Sequence, residues 1–320
     1  MREIAAFLRA HRSFVILGHV DPDGDAIGSA LGLAGMLRAE GRVARVALPG
    51  GVPDTYRFLP RTDEVGASLE DVDPEAEAVV VLDSTSPSRL ANLAPLTDGT
   101  RPLANVDHHP DNSRFGAPSF VDPTACATAL LLYELARDHD FAIDAEVASC
   151  LYTGIVTDTG RFTFSNTDAR GLAAAAELTR LGAEASRIAT RVYATHTPSS
   201  LRLLGAVLAT LELHEQGRVA CVQVTNRMLE ECGATSEDAD GFSGLARSVE
   251  GVSVGLFFRE TEGGTKVSFR SNGGVSIHGV ASRFGGGGHS SASGARLPFP
   301  LEEAKARVLV AVAEHLESLV

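Results

Sequence analysis

The chain has 320 residues, 44% of them hydrophobic, and a formal net charge of −13, which is long for one core and comfortable for two domains. That charge excludes a broad basic surface for long duplex nucleic acid, but not phosphate substrates, since cations bound at an acidic site would invert the local field. No stretch approaches the roughly 20 continuous apolar residues that cross a bilayer, no basic-then-apolar leader opens the chain, and its four cysteines form no Cys-x-x-Cys pair. A soluble cytoplasmic protein is expected, with no membrane contact and no zinc ribbon.

In chain order, the apolar run 14–18 reads as a first strand and stops at His19, Asp21, Asp23 and Asp25. Residues 26–40 put Ile27, Leu31, Ala34 and Leu37 at helical spacing, with Gly41 as the C-cap. Residues 42–48 form the next expected strand, which Pro49-Gly50-Gly51 ends. The runs 78–82 and 103–106 supply two more, the first meeting Asp83 and the second Asp107, His108 and His109. Short β-branched runs separated by helical segments predict parallel strands covered on both faces, and such sheets bind ligands outside the carboxyl ends of their strands. Helices follow at 124–138 and 145–157, the latter ending in Asp158-Thr159-Gly160, and again at 171–181 and 201–213. The Thr, His, Pro and Ser of 195–200 favour a break. Strands are expected at 219–224, 252–258 and 266–270, a short helix at 277–284, then Gly285-Gly286-Gly287-Gly288-His289, and a helix over 301–319. The fold class is therefore α/β: a parallel-sheet domain over 1–190, a helical linker over 191–212, and a smaller α+β domain over 213–320.

Asp and His at one sheet rim, with no thiolate among them, suit hard or borderline ions such as manganese or magnesium, so a metal-dependent hydrolase is the first reading. Asp21, Asp23 and Asp25 match EF-hand positions one, three and five, but that loop needs Gly at six and Glu at twelve, where Ala26 and Gly32 stand. Taken alone, Asp-Pro-Asp-Gly is a turn and cap, and adjacent histidines decorate many loops. Three Asp/His strand ends together outweigh those readings. In an extended segment His108 and His109 point opposite ways, so one can ligate an ion while the other serves the substrate. The glycine loop would let backbone N–H groups approach an anion, with Arg270 on a nearby strand able to make bidentate phosphate contacts.

In order and spacing, His19-x3-Asp23-x-Asp25, Asp83, Asp107-His108-His109 and Asp158-Thr159-Gly160 resemble the four motifs of the DHH phosphoesterase family. Arg270-Ser271-Asn272, followed by Gly285–His289, Ala292 and Gly294, resembles the signature of the DHH-associated C-terminal domain. The resemblance covers nearly the whole chain, and its two-domain form is similar to the oligoribonuclease and pAp phosphatase type. It implies two divalent cations, manganese first, with magnesium or cobalt as alternatives. One would be held by His19, Asp23 and Asp83, the other by Asp25, Asp83, His108 and Asp158. It implies catalytic roles for His109 and Asp107, and substrate contacts from Asn112, Arg270, Ser271, Asn272, Gly286, Gly287, Gly288 and His289. The implied activity is hydrolysis of short oligoribonucleotides to mononucleotides and dephosphorylation of pAp. The alternatives are a cyclic di-AMP or pApA phosphodiesterase and a non-catalytic, metal-containing nucleotide-binding module. Partners are short RNA, dinucleotides or pAp, with a homodimer left open. Where relatives carry a Ser-Thr-x-Glu segment, this chain has Ala127-Thr128-Ala129-Leu130.

Overall fold

The computed structural model describes residues 1–319 except Gly273 and His289, with the backbone alone of Asp240. Contacts divide the chain into two compact units, Met1–Ala194 and Thr195–Val320. Among the described residues, no helix is long and apolar enough to cross a membrane.

The first unit runs through α1 (Arg2–Ala10), β1 (Ser13–Leu17), α2 (Gly24–Ala39), β2 (Val43–Ala47), β3 (Ala78–Leu82), β4 (Leu103–Asp107) and β5 (Ser119–Val121), then α3 (Thr128–Asp138), α4 (Ala145–Asp158), α5 (Ala169–Arg180) and α6 (Ala185–Tyr193). Its strands make one parallel sheet in the order β2-β1-β3-β4-β5. Continuous apolar strands arise because both faces are covered. Phe14 and Ile16 of β1 enter the core built with α1 to α4, whereas Val15 and Leu17 meet Leu90 and Leu93 of the 3-10 segment Pro87–Thr97. After β2 forms beside β1, the chain returns to place β3 on the other side of β1. That reversal is a topological switch point, where the loops after two adjacent strands leave in opposite directions and open a crevice.

The α2–α4 packing fixes the rim. Gly24, Gly28 and Gly32 recur every four residues on α2, and a Cβ on Gly28 would lie 2.3 Å from the Cys150 carbonyl oxygen. On α4, a Cβ on Gly154 would lie 2.6 Å from Asp25 Oδ1. The helices therefore approach backbone to backbone, which brings the start of α2 beside the end of α4.

The second unit comprises α7 (Pro198–Leu208), β6 (Glu212–His214), β7 (Val219–Val224), α8 (Asn226–Cys232), β8 (Val254–Thr261), β9 (Gly264–Ser271), α9 (His278–Ser282), β10 (Gly287–Gly288), β11 (Ala292–Leu297) and α10 (Leu301–Glu317). Its sheet, β10-β11-β9-β8-β7-β6, is mixed, since β7 and β8 are parallel while the other pairings are antiparallel. Val308 and Val312 of α10 cover one face, and Leu203 and Val207 of α7 the other.

Expectation and structure differ in several places, α1, α6, α8 and β5 among them. The helix expected over 201–213 ends at Leu208, and Glu212–His214 becomes an edge strand paired to β7; a short apolar run does not distinguish the two conformations. The stretch expected as a linker over 191–212 contains α7, whose Leu203 and Val207 are core residues of the second unit. Strand β11 went unexpected because Ala292-Ser293-Gly294-Ala295-Arg296-Leu297 lacks the β-branched and aromatic residues that mark strands.

Candidate active site

The loops after β1, β3 and β4 and the end of α4 converge in the first unit. His19 Nε2 lies 3.5 Å from Asp83 Oδ2 and 3.9 Å from Asp23 Oδ1. His108 Nε2 lies 3.5 Å from Asp158 Oδ2, 3.6 Å from Asp83 Oδ1 and 3.9 Å from Asp25 Oδ2. Three overlapping groups thus have ligand atoms mutually within 4.8 Å: His19, Asp23 and Asp83; Asp25, His108 and Asp158; and Asp83, His108 and His109. Asp83 belongs to two of them, with one oxygen turned to each side.

Local structure orients each donor. Asp23 caps α2, its Oδ1 accepting from the amides of Asp25 and Ala26 at 3.0 and 3.1 Å. Asp25 is buried and reaches across to α3, accepting from the amides of Thr128 at 2.6 Å and Ala129 at 2.9 Å. The N-cap of α3, Ala127, contributes no side-chain bond, so a distant carboxylate satisfies the orphan amides of that helix. Asp83 adopts φ +53°, the left-handed region that Asp tolerates better than most residues, and accepts from Thr128 Oγ1 at 3.0 Å. His108 Nδ1 faces the Ala125 carbonyl at 3.1 Å and His19 Nδ1 the Val20 carbonyl at 2.9 Å. Those contacts fix the Nδ1 side of each ring and leave Nε2 directed at carboxylates, the arrangement of metal-ligating histidines. Thr128 and Ala125 had no distinguishing sequence signal beyond their place at a helix start.

Beside this cluster, Asp107 Oδ1 accepts from the His108 and His109 amides and, at 2.7 Å, from His109 Nδ1. Burial works against a charged His109, but the bond to Asp107 and the nearby Asp83 outweigh it and raise its pKa to about 9. Burial and the charge of Asp83 push the Asp25 carboxyl up to about 7, and burial with Asp25 and Asp23 lifts Asp158 as well. For Asp83, burial is outweighed by the hydrogen bond from His19 and the charges of His109 and His108, which hold it well below the carboxylate range. The donors fit divalent cations: they are oxygen and imidazole nitrogen alone, preoriented, and crowded with like charge that a cation would relieve.

Asn112, expected as a substrate contact, bonds within the protein. Its Nδ2 donates to the Ser84 carbonyl at 2.9 Å and to Asp107 Oδ2 at 2.6 Å, while its Oδ1 accepts from the Arg114 amide at 2.6 Å. The side chain is spent on steering Asp107 and joining the loops after β3 and β4.

In the second unit, the expected substrate residues divide similarly. Ser271 is buried and donates to the Val275 carbonyl, and Asn272 Nδ2 donates to the carbonyls of Arg247 and Val252, so their donors serve local structure. The Gly286 amide donates to the Ala281 carbonyl, and a Cβ there would lie 2.1 Å from the Gly294 oxygen; close packing against β11 demands this glycine. Gly287 and Gly288 form β10, paired with Gly294 and Ser293, so the loop is partly strand and less a cradle of open amides. Arg270 is partly exposed, with Nη2 donating to Ser243 Oγ at 3.1 Å and Nη1 to the Phe269 carbonyl at 2.9 Å. His289 lies outside the described residues. A histidine missed in the sequence, His278, bonds the Gly288 carbonyl through Nδ1 at 2.7 Å and so fastens α9 to that loop.

Comparison with known proteins follows the same division. Residues 13–155 match the DHH family, N-terminal domain, and residues 217–318 the DHHA1 domain. The chain is 43% identical to the bifunctional oligoribonuclease and PAP phosphatase NrnA of Thermus thermophilus, over 99% of this chain and 94% of that one. It is 31% identical to the Bacillus subtilis protein of the same name, over 92% of each. Among solved structures, an exopolyphosphatase-related protein from Bacteroides fragilis matches with a TM-score of 0.89 and 28% identity, over 99% of this chain and 95% of that one.

Proposed function

The chain belongs to the DHH family of phosphoesterases, and from that membership we propose that it hydrolyses short oligoribonucleotides to mononucleotides and dephosphorylates pAp at the Asp83-centred site. The observation that carries this reading is Asp83 itself, at the switch point, with Oδ2 toward His19 and Oδ1 toward His108. In the proposed assignment, His19, Asp23 and Asp83 hold one divalent cation and Asp25, Asp83, His108 and Asp158 a second, with manganese best suited to these oxygen and nitrogen donors. Bound cations supply the charge that activates an attacking water and offsets the charge building on the phosphoryl oxygens.

The chain's own residues do the rest. Asp107 holds the His109 ring by Nδ1, so the proton on Nε2 is the one it hands to the leaving oxygen as the phosphorus–oxygen bond breaks. In the cation-free chain the Asp107 bond and the Asp83 charge favour the protonated ring, with a pKa of about 9. Asn112 and the amides of His108 and His109 keep Asp107 oriented. Arg270 is the proposed phosphate contact of the second unit, exchanging its Ser243 bond for a charge-assisted one.

The test is a panel of pAp, di- to pentanucleotide RNA, short DNA and cyclic di-AMP, assayed with manganese and resolved chromatographically. Turnover of short RNA and pAp, absent after chelation and in Asp83→Asn, is expected. Exclusive turnover of cyclic di-AMP would replace the substrate assignment, and binding without turnover of any phosphoester would make the protein a nucleotide-binding module.

A further inference from the structure

Away from the Asp/His centre, the β6–β7 hairpin gathers a second donor set of different chemistry. Glu212 and Cys221 are paired across the two strands, and His214 lies two residues along β6, so all three point to one face. His214 Nε2 is 3.6 Å from Cys221 Sγ and 3.3 Å from Glu212 Oε2. A tetrahedral zinc ion, with Zn–S about 2.3 Å, Zn–N about 2.0–2.1 Å and Zn–O about 2.0–2.2 Å, requires S···N edges of about 3.5–3.6 Å and N···O edges of about 3.3–3.5 Å. Both observed separations match those edges, and all three ligand atoms lie within 4.8 Å of one another.

We propose that Glu212, His214 and Cys221 form a zinc-class cation site in the second unit, a three-ligand site with its fourth position toward solvent. The side chains of Glu212 and His214 are 44% and 32% exposed, which gives an ion entry, whereas Cys221 is buried at the base. Lys305 of α10 is the apparent obstacle, but its Nζ binds Glu212 through the other oxygen, Oε1, at 2.6 Å, and also lies 3.3 Å from Gln223 Oε1. It therefore holds the carboxylate by the oxygen that His214 does not face, as outer partners of metal ligands do, and its charge favours the thiolate against the burial that pushes the Cys221 thiol up to about 11. A thiolate selects zinc over manganese, so the two units would take ions of different classes. The site would fasten β6, a three-residue edge strand, to the sheet.

The experiment uses the full chain, stripped of metal and titrated with cobalt(II), a spectroscopic substitute for zinc. A thiolate-to-cobalt charge-transfer band in the near ultraviolet is expected in the wild type and in Asp83→Asn, absent in Cys221→Ser, and abolished by adding zinc. His214→Gln, which keeps the buried thiol, should weaken zinc roughly 100-fold or more in a chelator competition, above the 10- to 100-fold typical of losing an outer partner. The proposal falls if the wild type shows no such band, if the band survives Cys221→Ser, or if His214→Gln leaves zinc affinity unchanged. Any of those results would make the trio a hydrogen-bonded Cys–His pair beside an ion pair.

Discussion

Adjacent histidines with the same side chain have different environments here, and the difference predicts different failures. His108 is buried with Nε2 among three carboxylates, whereas His109 is held by Asp107 at the edge of the cluster. His108→Ala should therefore lose bound manganese, while His109→Ala should keep it and lose about 100- to 10,000-fold in turnover, the usual contribution of a general acid. Metal content measured beside kcat for both variants is the check, and the reverse pattern would exchange the roles. A pH prediction follows from the same ring in the metal-free chain. Its pKa rises on folding from 6.5 to about 9, so the stability it contributes is complete below about 6.5 and lost as pH climbs through 9. The stability difference between metal-free wild type and His109→Gln, followed by denaturant unfolding, should be flat at acidic pH and shrink across that window. A difference that grows toward alkaline pH would contradict the assigned Asp107–His109 bond.

At the scale of elements, the site depends on how closely two helices approach. Gly154 of α4 sits against the Asp25 carboxylate and Ala129, with a virtual Cβ 2.5 Å from the Ala129 Cβ, and neither neighbour is a flexible chain end. Gly154→Ala should cost about 1–3 kcal/mol through overpacking. It should also weaken manganese binding, because the relieving movement takes Asp25 away from the amides of Thr128 and Ala129. Urea unfolding of the metal-free variant reads the first effect and metal titration the second. A loss of stability with unchanged affinity would show that the α2–α4 contact supports the fold without setting the donor positions. Gly24, Gly28 and Gly32 stand at four-residue spacing, but the sequence reading used only the apolar residues of α2, and the structure alone identified which helix the glycines face.

For the whole molecule, the proposed division of labour places every donor of the Asp83-centred site before residue 159 and Arg270 in the second unit. Arg270→Ala should retain manganese and lose about 10- to 150-fold in kcat/KM on dinucleotides and pAp, the worth of a charge-assisted phosphate contact. A small ester such as bis-p-nitrophenyl phosphate should be affected much less. Equal losses on both would point to a defect of the fold, since Arg270 also bonds Ser243 and the Phe269 carbonyl, and no loss on either would leave it a structural arginine.

The sequence by itself determined β1 to β4 of the first unit, though not β5, and the Asp and His residues proposed as metal donors at three of their ends, because a buried parallel strand must be apolar throughout and its first polar residue marks the rim. His19, Asp83 and the Asp107-His108-His109 run were legible for that reason. Asp158 was legible only as one of a set, since an Asp before Gly also ends ordinary helices. Tertiary structure alone decided the partners of each polar group: Asn112 spent on Asp107 and Ser84, Ser271 on Val275, the Gly286 amide on Ala281, and Thr128 recruited to Asp83 and Asp25. Residue type states what a side chain can donate or accept. Which buried groups claim those bonds depends on neighbours up to a hundred residues away, and burial compels each to be satisfied before any is left for a ligand.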